Sequence, residues 1–228
     1  MSNTLWTVPS QGSGKIIKAA AVLAGVSLEQ PAAYEHYVDN KKPEFLEKFP
    51  HGKIPALEEA DGFKLFEGIA IARYIAGINP AAGLLGKDLQ EATLVDQWIH
   101  LTESEVDLYT NLIGQLLRGF ITPYNKPIHA AFAERQLRAL KTLNAHLASR
   151  TFFVGERITL ADIYIANQIL RAATVTFDAT LRKQRPHLIR HAETVVNQPQ
   201  FKGIFEPVEY VEKALTYVPP PKEKKESA

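Results

Sequence analysis

The spacing of apolar residues changes once along the chain. Up to about residue 78, short apolar runs alternate with turn-forming clusters, whereas beyond residue 88 apolar positions recur at helical spacing almost without a break. The run L-W-T-V (5–8) reads as a short buried strand and P-S-Q-G-S-G (9–14) as a loop. Residues 15–24 read as a helix with Ile16, Ile17, Ala20 and Ala24 on its apolar face and Gly25 placed to end it. The segment A-A-Y-E-H-Y-V (32–38) has the alternating aromatic character of a strand. Pro43 suits the first turn of a short helix beginning at residue 42. A strand follows Ile54-Pro55, a turn falls at Asp61-Gly62, another strand covers 63–66, and a helix opens at Glu67-Gly68. That helix has Ile69, Ala72, Tyr74 and Ile75 on its face, with Ile71 beside them. The order is β-α-β-α-β-β-α. Its first β-α-β should form a parallel pair with a right-handed crossover, and the Asp-Gly hairpin should add antiparallel strands.

The breaker cluster N-P-A-A-G (79–83) predicts a domain boundary, with 1–78 a small α/β domain, 79–87 a linker and 88–218 all helical. In the second part, Leu94, Trp98, Leu101, Leu108, Leu112 and Leu116 give helical periodicity over 89–117. Residues 122–127 form a connector, and 128–148 a long amphipathic helix through Phe132, Leu137, Leu140, Leu143 and Leu147. F-F-V-G (152–155) reads as a loop buried by its aromatics, followed by helices near 160–174, 178–184 and 186–198. In I-T-L-A-D (158–162), Thr159 and Asp162 have the spacing of a helix capping box, with Ile158 as its hydrophobic staple. These two residues are structural. The last stretch, 219–228, is rich in proline, lysine and glutamate and should be a solvated tail.

Composition narrows the class. The chain has 228 residues, enough for one large or two small domains, and 46% apolar residues, ordinary for a globular protein. A formal net charge of +1 gives no basic field for direct nucleic-acid binding. With no cysteine, disulfides, thiolate catalysis by the chain itself and cysteine metal sites are excluded. Seven scattered histidines, His51 and His100 among them, show no metal-ligand spacing, so no metal is expected. No apolar run approaches the ~18–20 residues of a membrane helix, and the first residues lack the basic and apolar regions of a signal peptide. A cytoplasmic protein without membrane contact is the expectation.

The chemistry concentrates in residues 51–75. A proline opening a strand cannot donate to the ladder, and X-Pro bonds tolerate the cis form. A cis Ile54-Pro55 would aim the Ile54 N–H and C=O away from the sheet, toward another peptide-like molecule. The helix start at Glu67-Gly68 offers free N–H groups to a carboxylate. A peptide grip beside an anion grip suits a small peptide.

These features in this order resemble the glutathione transferase fold over about residues 3–218: a thioredoxin-like α/β domain with Ile-Pro opening its third strand, then an all-α helical-bundle domain carrying I-T-L-A-D in a buried helix. Within that superfamily, P-E-F-L-E-K-F-P-H-G-K-I-P-A (43–56), T-F-F-V-G-E-R-I-T-L-A-D-I (151–163) and V-N-Q-P-Q-F (196–201) are similar to the elongation factor 1 gamma branch. The tail is similar to the lysine-rich linker of that branch. The resemblance implies that glutathione is bound as a substrate rather than as a resident cofactor. Ile54 at Pro55 would pair with its cysteinyl part, Glu67 with its γ-glutamyl ammonium, the Gly68 N–H with its γ-glutamyl carboxylate, and Lys41 and Lys53 with its glycyl carboxylate. The family usually has Ser or Thr after the glutamate, so Gly68 lacks one hydrogen bond. A thiol with a pKa of ~8.5 needs a donor to ionise at neutral pH. The family serine position falls on Gln11, between Ser10 and Ser13. The donor is therefore a hydroxyl of Ser10 or Ser13, or the Gln11 amide with helix N–H groups. Glu103, Glu105 and Asp107 would line a dimer cleft, and Tyr109, Leu112 and Leu116 the electrophile pocket. The resemblance implies a homodimer that conjugates the glutathione thiolate to electrophiles. Its alternative is a non-catalytic scaffold module among the subunits of the translation elongation factor 1B complex.

Overall fold

The computed structural model describes residues 3–219, so the expected solvated tail lies, except for its first residue, outside the described residues. The first half runs β1 (Asn3–Trp6), α1 (Gly12–Ala24), β2 (Leu28–Glu29), α2 (Pro43–Lys48), β3 (Ala56–Glu58), β4 (Lys64–Phe66) and α3 (Gly68–Ile78). The strands lie in the order β2-β1-β3-β4, with β1 and β2 parallel and β3 antiparallel to both of its neighbours. A parallel pair needs a crossover, and α1 supplies it. Its Ile16, Ile17, Ala20 and Ala24 share one buried core with Leu5, Leu57 and the α3 residues Ile71, Ala72 and Ile75. Gly25 ends α1 at φ 71°, where a side chain would be strained.

The strand expected over 32–38 does not form. β2 is only Leu28–Glu29, and the chain then turns through 32–38. Two side chains capture the backbone there: the Asp39 carboxylate accepts from the Glu35 N–H at 2.6 Å, and Asn40 Oδ1 from the Tyr37 N–H at 2.7 Å. Such local bonds compete with a ladder. Tyr37 also sits at φ 73°, incompatible with a strand. The aromatic pattern has another origin: Tyr34 packs on a small second core of Phe45, Phe49, Ile54 and Ala56, joined by Trp6 and Val8.

The second half is helical: α4 (Leu89–Thr102), a π turn (Glu103–Asp107), α5 (Leu108–Leu117), α6 (Lys126–His146), α7 (Leu160–Ala173), α8 (Ala179–Gln184) and α9 (Pro186–Val196). The 89–117 periodicity is thus one helical run interrupted by the π turn. α7 is the axis of this half, buried at every position but Arg171. Its start is held by the expected capping box. The fully buried Asp162 carboxylate accepts from the Thr159 N–H at 2.8 Å, the Thr159 hydroxyl at 2.7 Å and the Phe153 N–H at 2.8 Å. It also meets His191 Nε2 on α9 at 2.9 Å. One carboxylate therefore ties the helix start, the 152–155 loop and α9 together. The two halves join through α1 and α7, and through the Leu160 N–H donating to the Leu84 carbonyl at 2.8 Å. No described helix is long and apolar enough to cross a membrane.

Candidate functional site

The bend between α2 and β3 carries a cis Ile54-Pro55 peptide. Pro55 takes Ile54 out of the ladder, and the Ile54 N–H makes no hydrogen bond among the described residues. Beside it, α3 opens at Glu67, at φ 74° and ψ 115°, with no side chain capping the helix. A non-glycine residue in this region is strained by roughly 1–3 kcal/mol, and such residues cluster at ligand clamps. The first N–H groups of α3 consequently face outward without partners. Gln11, Ser13, His51, Lys53, Ile54, Pro55, Glu67 and Gly68 all line one cavity of about 190 Å³. The unpaired Ile54 N–H lies between a helix N-terminus at one pole and the cation Lys53 at the other. That arrangement suits a short extended peptide with a carboxylate at each end.

The structure gives Gln11 a supporting position. The Thr7 hydroxyl donates to its Oε1 at 2.8 Å, and its Nε2 donates to the Ile54 carbonyl at 2.6 Å. The side chain thus bridges β1 to the Pro55 bend and occupies the carbonyl expected to meet the ligand. α1, whose N-cap is Gln11, has no side-chain cap either, so its opening N–H groups remain available. Ser10 is exposed and lines a different, larger cavity. Lys41 ends the 3-10 turn Asp39–Lys41, is exposed, and lies outside the cavity lining. His51, set aside in sequence as a metal ligand, stands in the lining instead. Its position two residues before Lys53 was the available signal.

Ser13 and Gly68 are matched. A Cβ on Gly68 would sit 2.7 Å from Ser13 Cβ and 3.1 Å from Ser13 Oγ. Residue 68 is glycine because α1 presses Ser13 into the space a side chain would fill. The Ser13 hydroxyl has no partner among the described residues and stands at the α3 N-terminus, where the residue 68 hydroxyl is missing.

Two further cavities open from Ser13. One, of about 480 Å³, runs between α3 and α4 and includes Glu67, Asp96, Glu103 and Asp107, an acid-rich wall. Glu105 points elsewhere and pairs with Arg138 at 3.0 Å. The other, of about 470 Å³, lies between α1 and α7 and includes Ser10, Gln11, Ser13, Asp107, Asn167 and Gln168. Burial pushes the Asp107 carboxyl above the usual carboxylate range, against the pull of its partner Arg171. Neither cavity is lined by Tyr109, Leu112 or Leu116, contrary to expectation. Tyr109 and Leu116 are buried, Tyr109 against Phe132 of α6 with its hydroxyl accepting from Arg135 at 3.0 Å. The π turn is the physical reason. One extra residue per turn rotates α5, so that Asp107 meets the cleft while the apolar stripe faces α6. The polar pair Asn167 and Gln168 was missed in sequence, where this helix offered only a capping signal. No group of three His, Asp or Glu residues able to hold a metal ion occurs among the described residues.

A mixed four-stranded sheet with a peptide-shaped site, joined to a helical bundle, is the architecture of one large family. Its two domain descriptions match in tandem: "Glutathione S-transferase, N-terminal domain" over residues 1–77 and "Glutathione S-transferase, C-terminal domain" over 109–199. The chain belongs to the glutathione S-transferase family. It is 37% identical over 199 residues to the glutathione S-transferase-like protein LUC7 of Fusarium, covering 86% of this chain and 90% of that one. It is 39% identical over 201 residues to the probable elongation factor 1-gamma 2 of Arabidopsis thaliana, covering 86% of this chain and 46% of that one. The chain therefore spans about half the length of the elongation factor 1-gamma proteins it matches. In structure it is similar to the GST-like domain of elongation factor 1-gamma from Saccharomyces cerevisiae. The TM-score is 0.82 at 23% identity, over 95% of this chain and 99% of that one.

Proposed function

We propose that this protein binds glutathione in the cavity between Ile54 and α3 and conjugates its thiolate to electrophiles. The observation that carries the reading is the convergence of Ser13, Lys53, Ile54, Pro55, Glu67 and Gly68 on one small cavity with an unpaired backbone N–H at its centre. The cysteinyl carbonyl accepts from the Ile54 N–H. The γ-glutamyl carboxylate meets the first N–H groups of α3 and the Ser13 hydroxyl, and the ammonium meets Glu67. Lys53 and His51 hold the glycyl carboxylate, with Lys41 one loop further out. The thiol then lies toward the start of α1, where the Gly12 and Ser13 N–H groups and the Ser10 hydroxyl favour the thiolate. Gln11 keeps the Pro55 bend in register with α1. Holding the thiolate beside a second cavity supplies proximity as well as activation. The working form is a cytoplasmic homodimer, with the acid-rich cleft of α3 and α4 toward the partner.

A second reading is favoured by the elongation factor 1-gamma relatives: a scaffold module among elongation factor 1B subunits, without turnover. Calorimetric titration with glutathione, paired with a conjugation assay on a chlorodinitrobenzene, separates the two. Binding with turnover supports the enzyme. Binding without turnover supports the scaffold, and no binding at millimolar glutathione overturns the enzyme reading.

A further inference from the structure

Gln11 is the N-cap of α1, yet its side chain makes no capping bond. Short polar side chains serve at an N-cap because they fold back onto their own helix. The longer Gln11 reaches away instead, and its Nε2 donates to the Ile54 carbonyl at 2.6 Å. The turn before the helix holds it in place, the Gln11 N–H donating to the Val8 carbonyl at 3.0 Å.

Chemistry fixes which end of the amide meets Ile54. A carbonyl oxygen at that distance needs a donor, so it meets Nε2, and Oε1 is left to Thr7. The Thr7 hydroxyl must then be the donor of the second bond, at 2.8 Å. Thr7 is only 5% exposed, and α1 presses on it at Gly14, where a Cβ would lie 2.0 Å from Thr7 Oγ1. The amide is therefore held at both ends.

Gln11 is the only partner of the Ile54 carbonyl among the described residues. It lines the same cavity as Ile54, so it stands on the side from which a ligand approaches. An extended peptide pairs with a backbone through both of its groups, carbonyl to N–H and N–H to carbonyl. At this bend only the Ile54 N–H is free, and the Gln11 amide takes the place of the ligand's own N–H.

We propose that Gln11 makes the Ile54-Pro55 bend one-sided, so that the site selects its thiol ligand through a carbonyl and is indifferent to an N–H beside it. This rests on the glutathione reading above. The ligand class is then γ-glutamyl thiols joined at their central residue by an amide or by an ester alike, and Gln11 is the residue that sets this specificity.

The test is calorimetry on the full chain with glutathione and with its depsipeptide, in which 3-mercaptolactate replaces cysteine and an ester oxygen stands where the N–H was. A two-sided bend would favour glutathione about fivefold, the factor one neutral hydrogen bond gives. In wild type the preference should stay below about threefold, and in Gln11→Ala, which frees the Ile54 carbonyl, it should rise to about fivefold. The ratio is the readout because a merely structural role for Gln11 would weaken both ligands alike. If glutathione binds and wild type prefers it by about threefold or more, or if Gln11→Ala leaves the ratio unchanged, this inference fails alone. If neither ligand binds at millimolar concentration, the glutathione reading fails and takes this inference with it. Where the alanine variant does not fold, Gln11→Ser, too short to reach Ile54, supplies the same comparison.

Discussion

Exchanging Ser13 and Gly68 tests whether one hydroxyl has moved between helices. In the proposed complex, Ser13 donates to the γ-glutamyl carboxylate from α1. Ser13→Ala removes that hydrogen bond to a charged group in a half-open site, worth about 1.5 kcal/mol, so the glutathione Kd should rise about tenfold. Gly68→Ser returns a hydroxyl to α3, but its Cβ lies 2.7 Å from Ser13 Cβ. Carbon atoms pack at about 3.5–4.0 Å, so α1 and α3 must part by roughly 1 Å. Overpacking of that kind costs about 1–3 kcal/mol, and the single variant should bind no better than Ser13→Ala. The double variant Ser13→Gly, Gly68→Ser removes both the clash and the first hydroxyl, and it should bind glutathione within about threefold of wild type, a coupling of about 1.5 kcal/mol or more. Because the clash is with the serine Cβ, Ser13→Ala, Gly68→Ser should not recover. Calorimetric titration of these five proteins and of Ser13→Gly, which closes the cycle, is the assay. An unchanged Kd for Ser13→Ala, or additive losses in the glycine–serine exchange, would refute the reasoning.

The remaining predictions concern the rest of the site and the fold. Lys53→Ala should weaken glutathione about fivefold, the loss of a partly solvated ion pair, whereas Lys41→Ala should change it by about twofold or less; equal effects would remove the distinction between the two lysines. Asp162→Ala leaves the Thr159 and Phe153 N–H groups and His191 buried without their acceptor and should cost about 3–5 kcal/mol, on the order of 10 °C in melting temperature by calorimetry. A shift of under about 3 °C would contradict the role of this carboxylate as the tie between α7, α9 and the 152–155 loop. The hydrogen bond from the Tyr74 hydroxyl to Glu59, at 2.6 Å, pushes the phenol up to about 12. The folded state then holds this proton more tightly than the unfolded chain, which releases it near pH ~10. The stabilisation is complete below that pH and is lost as pH rises through the folded value; Glu59→Gln should bring the phenolate absorbance step down.

The backbone of the proposed site is legible in the sequence because its parts are local. Ile54-Pro55 forces the chain out of the ladder wherever it occurs in a strand start, and Glu67-Gly68 opens a helix by its own backbone chemistry. Thr159 and Asp162 announce a cap three residues apart. The rest depends on how side chains meet. The aromatic alternation of 32–38 suits a strand or a small side cluster equally, and only the capture of the Glu35 and Tyr37 N–H groups by Asp39 and Asn40 decides between them. Tyr109 and Leu116 have helical spacing, but the π turn before them changes which neighbour that stripe meets. Lys41 and Lys53 are alike in sequence, and only the cavity separates them.

Short-range physics accounts for the order of elements, the family they belong to and the backbone of the Ile54-Pro55 bend, since turns, caps and proline act within a few residues. Assigning roles to side chains needed the approach of segments far apart in the chain. Gln11 became a brace because Ile54 lies 2.6 Å from its amide. Ser13 and Gly68 became one unit because α1 and α3 press together. Contacts of this sort depend on distances between elements, which no residue spacing along a chain encodes.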